Sequence, residues 1–197
     1  MEEKEGFTGI RDLDAELLLK MGDREFIRTC GLNNYFIDLC KRDNYLLFKR
    51  KLQLFYPDTL EENMLRKYKN ESWKEYYAQV VRSVAVLKEK YNYDFVSGNP
   101  FIQLKMFKVN RIGGNTMYRS IFSHAIKKNQ LSLAIYALRQ VPNIVIDDQH
   151  LFNALKLLPD MKILKFLISQ GANIKHIKEI ALDYFKHKNY SSYLELL

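Results

Sequence analysis

The stretch MKILKFLISQGANIKH, Met161 to His176, constrains the fold of this chain more than any other. Ile163, Phe166 and Leu167 fall at helical spacing and give a short helix one apolar stripe. Gly171 supplies the left-handed residue that ends such a helix, and Ala172-Asn173 open a turn. A helix stopped this way before a turn and a second helix is the second half of a helical-hairpin repeat unit. Such units bind partners and very rarely catalyse.

From Met117 onward the helix pairs repeat. Ala125 and Ala154 are 29 residues apart, as are Leu138 and Leu167, and Leu197 lies 30 beyond Leu167. In HAIKKNQLSLAIYALRQ and again in NALKLLPDMKILKFLISQ, a small Ala on the first helix precedes an apolar stripe on the second. The small residue lets neighbouring helices approach, which stacked hairpins require. A third unit, IKEIALDYFKHKNYSSYLELL, is expected to cap the stack.

The front of the chain reads as short helices opened by polar residues. Asp14 precedes AELLLKM, Asp23 precedes REFIRTC, Asn33-Asn34 precede YFIDLC, and Asp43 precedes NYLLFKRKLQLFY. Each can accept a hydrogen bond from the free amides of a first helical turn. In the fourth segment Tyr45, Phe48, Leu52 and Phe55 share a face, Lys49, Arg50 and Lys51 lie elsewhere, and Pro57 ends the helix. Ser72 and Glu75 then form a capping box. Behind it Trp73, Tyr76, Tyr77, Val80, Val84, Leu87 and Tyr91 trace one stripe, which predicts a helix over residues 72–92.

Ser97-Gly98-Asn99-Pro100 marks a module boundary by its turn chemistry, so two modules are expected, 1–96 and 97–197. FIQLKMFKV, 101–109, has the composition of a strand but no visible partner, and Ile112-Gly113-Gly114-Asn115 reads as a turn. Gly and Pro are scarce and alternating patterns short, so the chain is expected to be all-α. A hydrophobic content of 47% over 197 residues suffices for a real core, and 13% aromatics argues against disorder.

The charge supports the division. Residues 1–100 carry 17 basic and 17 acidic side chains, whereas 101–197 carry 14 and 6, the whole of the net +8. Between Asp94 and Asp147 there is no acid, while Arg119, Lys127, Lys128 and Arg139 accumulate among interleaved aromatics Tyr118, Phe122 and Tyr136. The aromatics suit a repeat core and the basic residues a solvated face, with nucleic acid the less favoured partner. No apolar run reaches the length of a membrane span, and the acidic start lacks a signal-peptide pattern. Cys30 and Cys40 sit among apolar residues at helical phase, so buried free thiols are expected in a soluble intracellular monomer.

Several residues could be drawn into chemistry. His124, His150, His176 and His187 have no metal-ligand spacing. Asp147-Asp148 before His150 suit a helix cap better than a catalytic pair, and Gly113-Gly114 lack the surroundings of a phosphate loop. No nucleophile setting is visible. The expectation is a non-enzymatic protein without cofactor or metal.

Two resemblances extend this reading. Gly171-Ala172-Asn173 match the end-of-helix pattern of ankyrin repeats, and Leu151 and Ala154 keep two positions of that family's opening. The back third therefore resembles degenerate ankyrin repeats. Leu13-Asp14-Ala15-Glu16-Leu17-Leu18, then Arg24-Glu25-Phe26 with Cys30, then Asn33-Asn34-Tyr35-Phe36, followed by Trp73, resemble an F-box-like domain. Asp14 stands at the usual Pro, and Leu47-Phe48 where a Trp is often found. The combination is similar to protein families of giant DNA viruses of amoebae.

The resemblance implies an F-box-like helical domain followed by an ankyrin-like stack. It also implies an adaptor that docks on the Skp-type linker of a host cullin–RING ubiquitin ligase and holds an unknown target, in host cytoplasm or nucleus. Leu13, Leu17 and Leu18 are then the linker contact. Three such leucines cannot all face inward on one helix, so at least one is expected at the surface. Lys127, Lys128 and Arg139 form a basic face for the target. The alternatives are a scaffold or virion-associated protein without ligase contact, and a basic nucleic-acid-binding module.

Overall fold

Polar side chains open some of the helices, although not always at the residues their position suggests. In the computed structural model, which describes residues 6–60, 65, 67, 70–91 and 114–185, every regular element is helical. Nine α-helices run α1 Arg11–Lys20, α2 Asp23–Thr29, α3 Asn34–Phe55, α4 Trp73–Tyr91, α5 Gly114–Lys127, α6 Leu131–Gln140, α7 Asp148–Leu155, α8 Lys162–Ser169 and α9 Ile174–Phe185. A 3-10 turn, Pro57–Leu60, follows α3. The all-α expectation holds among the described residues. The FIQLKMFKV segment, the whole Ser97–Pro100 boundary, Ile112-Gly113 of the expected turn, His187 and the end of the third repeat lie outside them, and Gly114 and Asn115 already belong to α5. The chain divides into two compact units, with the division between Val84 and Ala85.

In the first unit Asn33 caps α3 by accepting from the Phe36 amide at 3.0 Å, as its position predicts. Ser72 and Glu75 form the expected box: the Ser72 amide donates to Glu75 at 2.8 Å and the Glu75 amide to Ser72 Oγ at 3.2 Å. Asp14 and Asp23 do something else. Helix α1 begins three residues before Asp14, and its carboxylate, fully buried, accepts from Tyr35 Oη (2.6 Å), Thr8 Oγ1 (2.8 Å) and the Thr8 amide (2.9 Å). Asp23 is the first residue of α2 and takes the hydroxyls of both Tyr56 and Tyr77, the latter at 2.6 Å. Both aspartates are thus anchors for distant tyrosines rather than caps of their own helices.

Helix α3 is broken at Arg42–Tyr45, where Asp43, Asn44 and Tyr45 have φ of 50°, 55° and 62°. The expected restart of a helix at this point is therefore present. Its second half buries Leu47, Phe48 and Leu52, with Phe48 edge-on to Phe26 and Tyr77. Lys51, expected on the solvent side, is buried instead. Its ammonium donates to the Leu19 carbonyl at 2.6 Å and to that of Met21, closing the end of α1, and lies 4.0 Å from the Phe55 ring centroid. Burial pushes its pKa down, against the pull of Asp23.

The cysteines correct the sequence reading. Cys30 follows α2 and Cys40 lies in the first half of α3, and the turn between the helices brings their Cα atoms to 5.7 Å; the two form a disulfide. That separation is within disulfide range, so burial at helical phase did not keep the thiols apart.

In the second unit α5 packs on α6 and on α7, α7 on α8 and α9, and α6 on α8. First helices stack on first helices and second on second. Ala125 and Ala154, with Ala134, Ala137 and Ala181, are completely buried, which lets the helices approach closely. Ile163, Leu164 and Leu167 form the inner stripe of α8, with Phe166 half-buried beside it. Gly171 has φ +93°. Its amide donates to the Ile168 carbonyl at 2.9 Å and the Ala172 amide to that of Leu167 at 3.1 Å, the paired bonds of a Schellman stop.

Candidate functional site

Helix α1 positions its leucines by what it buries. Asp14 and Leu18, four residues apart, point inward with Leu19. Leu13 and Leu17 stand one residue back from these, about 100° around the helix, and reach the surface. Leu13 is 46% exposed, Leu17 is half-buried, and Ile10 at the helix entrance is 61% exposed. Ile10, Leu13 and Leu17 therefore make an apolar stripe at i, i+3 and i+7. Leu18 is fully buried and belongs to the core, so of the three expected contact leucines only Leu13 and, in part, Leu17 lie at the surface.

The stripe sits on a firm base. The hydrogen bonds that Asp14 accepts fix α1 to α3 and to the preceding turn. Burial works to raise the Asp14 pKa, but the bonds from Tyr35, Thr8 and the Gly9 amide outweigh it and hold the carboxyl below its usual value. Burial and the same carboxylate push the Tyr35 hydroxyl up to about 12. Beside the stripe, Glu16 pairs with Arg50 at 2.7 Å on the surface. Nothing in the local sequence of Ile10 distinguished it from a core residue; only the inward direction of Asp14 and Leu18 does.

The basic residues of the second unit are divided. Lys127 and Arg139 are exposed near the ends of α5 and α6. Lys128, just past α5, is half-buried and pairs with Glu89 at 2.6 Å, so part of its charge is already met within the protein. Arg119 is exposed more than two turns earlier and lines a pocket of about 420 Å³ with Thr116, Ser120, Ser123, Ile144, Val145, Asp147 and His150.

This pocket brings Ser123 to the Asp147 and His150 weighed above, and the serine was not legible because it is 27 residues from His150. Asp147 caps α7 by accepting the His150 amide at 3.0 Å, and the Asp147 amide donates back to His150 Nδ1 at 3.2 Å. Nδ1 also lies 2.7 Å from Asp147 Oδ1, closer than the backbone amide, and Nε2 lies 2.7 Å from Ser123 Oγ. Ser123 donates in turn to the Arg119 carbonyl at 3.1 Å. Burial lowers the His150 pKa despite the charge of Asp147 and its hydrogen bond, keeping the ring neutral. The cluster fastens α7 to α5.

Among the described residues no cluster of His, Cys, Asp and Glu could hold a metal ion, and no helix is long and apolar enough to cross a membrane. No protein-family model, curated protein or solved structure matches this chain.

Proposed function

We propose that this chain is a protein-interaction adaptor that recruits a target to a host Skp–cullin–F-box ubiquitin ligase. The observation that carries the reading is the stripe of Ile10, Leu13 and Leu17. Apolar side chains are presented to solvent at helical spacing on a helix whose other face is locked by Asp14, Leu18 and Leu19. Isolated surface leucines need no explanation, but a continuous stripe on a rigid support suits a partner surface. The nature of the partner, a Skp-type linker, rests on the F-box resemblance of Leu13 to Phe36. The stacked hairpins of the second unit supply the target-holding face, with Lys127 and Arg139 as its exposed cations. The protein itself does no chemistry; it raises the effective concentration of target near the ligase.

Pull-down from host lysate and a purified linker test this directly. The double change Leu13→Asp with Leu17→Asp should abolish recovery of linker and cullin while helical circular dichroism persists, because neither residue is in the core. If the wild-type protein recovers neither, the adaptor reading fails and a scaffold role takes its place. Tight, salt-sensitive and sequence-tolerant binding of bare DNA or RNA would instead favour a nucleic-acid function, which the pairing of Lys128 with Glu89 speaks against.

A further inference from the structure

The disulfide of the first unit forms one wall of a cavity of about 220 Å³. Around the two sulfurs the lining includes Ile37, Lys41, Tyr45 and Lys74, and no acidic side chain is part of it. Two lysines line the same cavity as the sulfurs, and cations there favour the approach of anions. Cys30 is 6% exposed and Cys40 1%, so Cys30 is the more exposed of the two residues. The same cavity reaches the break in α3, which begins two residues after Cys40 and contains Tyr45 in a left-handed conformation. Asp and Asn tolerate that conformation, but an aromatic residue there is strained and persists only where its surroundings hold it. What holds Tyr45 is an edge contact with Phe48, centroids 5.9 Å apart, and the Lys74 ammonium 5.9 Å from its ring.

We propose that Cys30–Cys40 is a thiol-exchange site, opened by a small carboxylate-bearing thiol that the lysine-lined cavity admits. The incoming thiolate attacks Cys30 Sγ; the Cys30–Cys40 bond breaks and its electron pair leaves on Cys40 Sγ as thiolate. A second small thiolate attacks the small-molecule sulfur of the mixed disulfide and releases Cys30 as thiolate. Two small thiols are oxidised to one small disulfide, the protein bond gains two electrons, and both protein thiolates take protons from solvent. Opening removes the covalent tie between the end of α2 and the first half of α3, next to the strained break.

The experiment uses the full chain with glutathione, 2-mercaptoethanol and cysteamine, respectively anionic, neutral and cationic. Opening rates are read by alkylation and mass spectrometry and corrected for the thiolate fraction of each reagent. Glutathione should open the bond about 10-fold faster than cysteamine at low salt, and the ratio should shrink as salt is raised. Lys41→Glu with Lys74→Glu, both away from the apolar core, should reverse the order. Equal rates for the three reagents, or opening only in denaturant, would overturn the proposal. So would two free thiols in the air-oxidised native protein.

Discussion

Replacing Gly171 separates two ways in which a helix stop can be specified. A Cβ built at this position meets no atom within 4 Å, so space is not the constraint. The constraint is φ +93°, which L-residues adopt at a cost of about 1–2 kcal/mol. Both Schellman bonds depend on that conformation, since a relaxed φ would pull the Ala172 amide from the Leu167 carbonyl. Asn, which tolerates positive φ, should lose well under 1 kcal/mol, Ala about 1, and the β-branched Val about 2 or more. For a unit of this size, 1 kcal/mol corresponds to roughly 4–8 °C in melting temperature. Thermal unfolding of Gly171→Asn, Gly171→Ala and Gly171→Val, followed by circular dichroism, reads the series. Strain orders the losses Asn, Ala, Val; crowding would order them by volume, with Ala mildest. Equal melting temperatures for all four proteins, or Asn worse than Ala, would refute the argument.

Other outcomes follow from single contacts. Asn33→Ala should cost about 1 kcal/mol by leaving the Phe36 amide of α3 unpartnered, read from urea midpoints. Lys51→Ala should cost more, about 3 kcal/mol, because it empties a buried site and strands the carbonyls of Leu19 and Met21. Cys30→Ser with Cys40→Ser releases a closed loop spanning 10 residues and should cost about 2–3 kcal/mol, measured against the wild type without reductant. The histidines of the second unit act in opposite senses with pH. His176 pairs with Asp148 at 2.7 Å and with Glu179, and these raise its pKa. Its contribution is full below pH 6.5 and is lost as pH rises through the folded-state value. Burial lowers His150 and His124, so their neutral forms stabilise above pH 6.5, and stability falls as pH drops through their folded values. Melting temperature should therefore peak near pH 6.5, and His176→Gln should flatten only the alkaline side.

What could be read from the sequence was whatever depends on neighbours a few residues away. Asn33, the Ser72–Glu75 box and Gly171 are such cases: each satisfies its own helix end, and each lies where its spacing predicts. Ala125 and Ala154 were legible too, because a repeat makes distant packing locally periodic. Asp14 and Asp23 look identical to Asn33 in sequence, yet their partners Tyr35, Tyr56 and Tyr77 are 21, 33 and 54 residues away. A capping residue and a buried anchor have the same composition, and only the tertiary fold decides between them. Lys51 did leave a trace, since it stands three residues after Phe48 and four before Phe55 on the apolar stripe. Its charge argued for solvent, and the open carbonyls at the end of α1 overrode that. For the candidate surface, Leu13 and Leu17 were legible, but the direction of Leu18 and the exposure of Ile10 depend on where Asp14 points.

The double duty of Asp23 limits the routes by which this sequence can drift. If Tyr56 or Tyr77 changes to Phe, the carboxylate keeps one hydroxyl and loses one. If Asp23 changes first, two buried phenols lose their acceptor together, a penalty of about 1–3 kcal/mol for each. Either tyrosine can therefore be exchanged while the aspartate remains, whereas the aspartate becomes expendable only after both tyrosines have gone. Lineages descended from this chain should lose the three residues in that order, and an ancestor lacking Asp23 but keeping both hydroxyls should be a dead end.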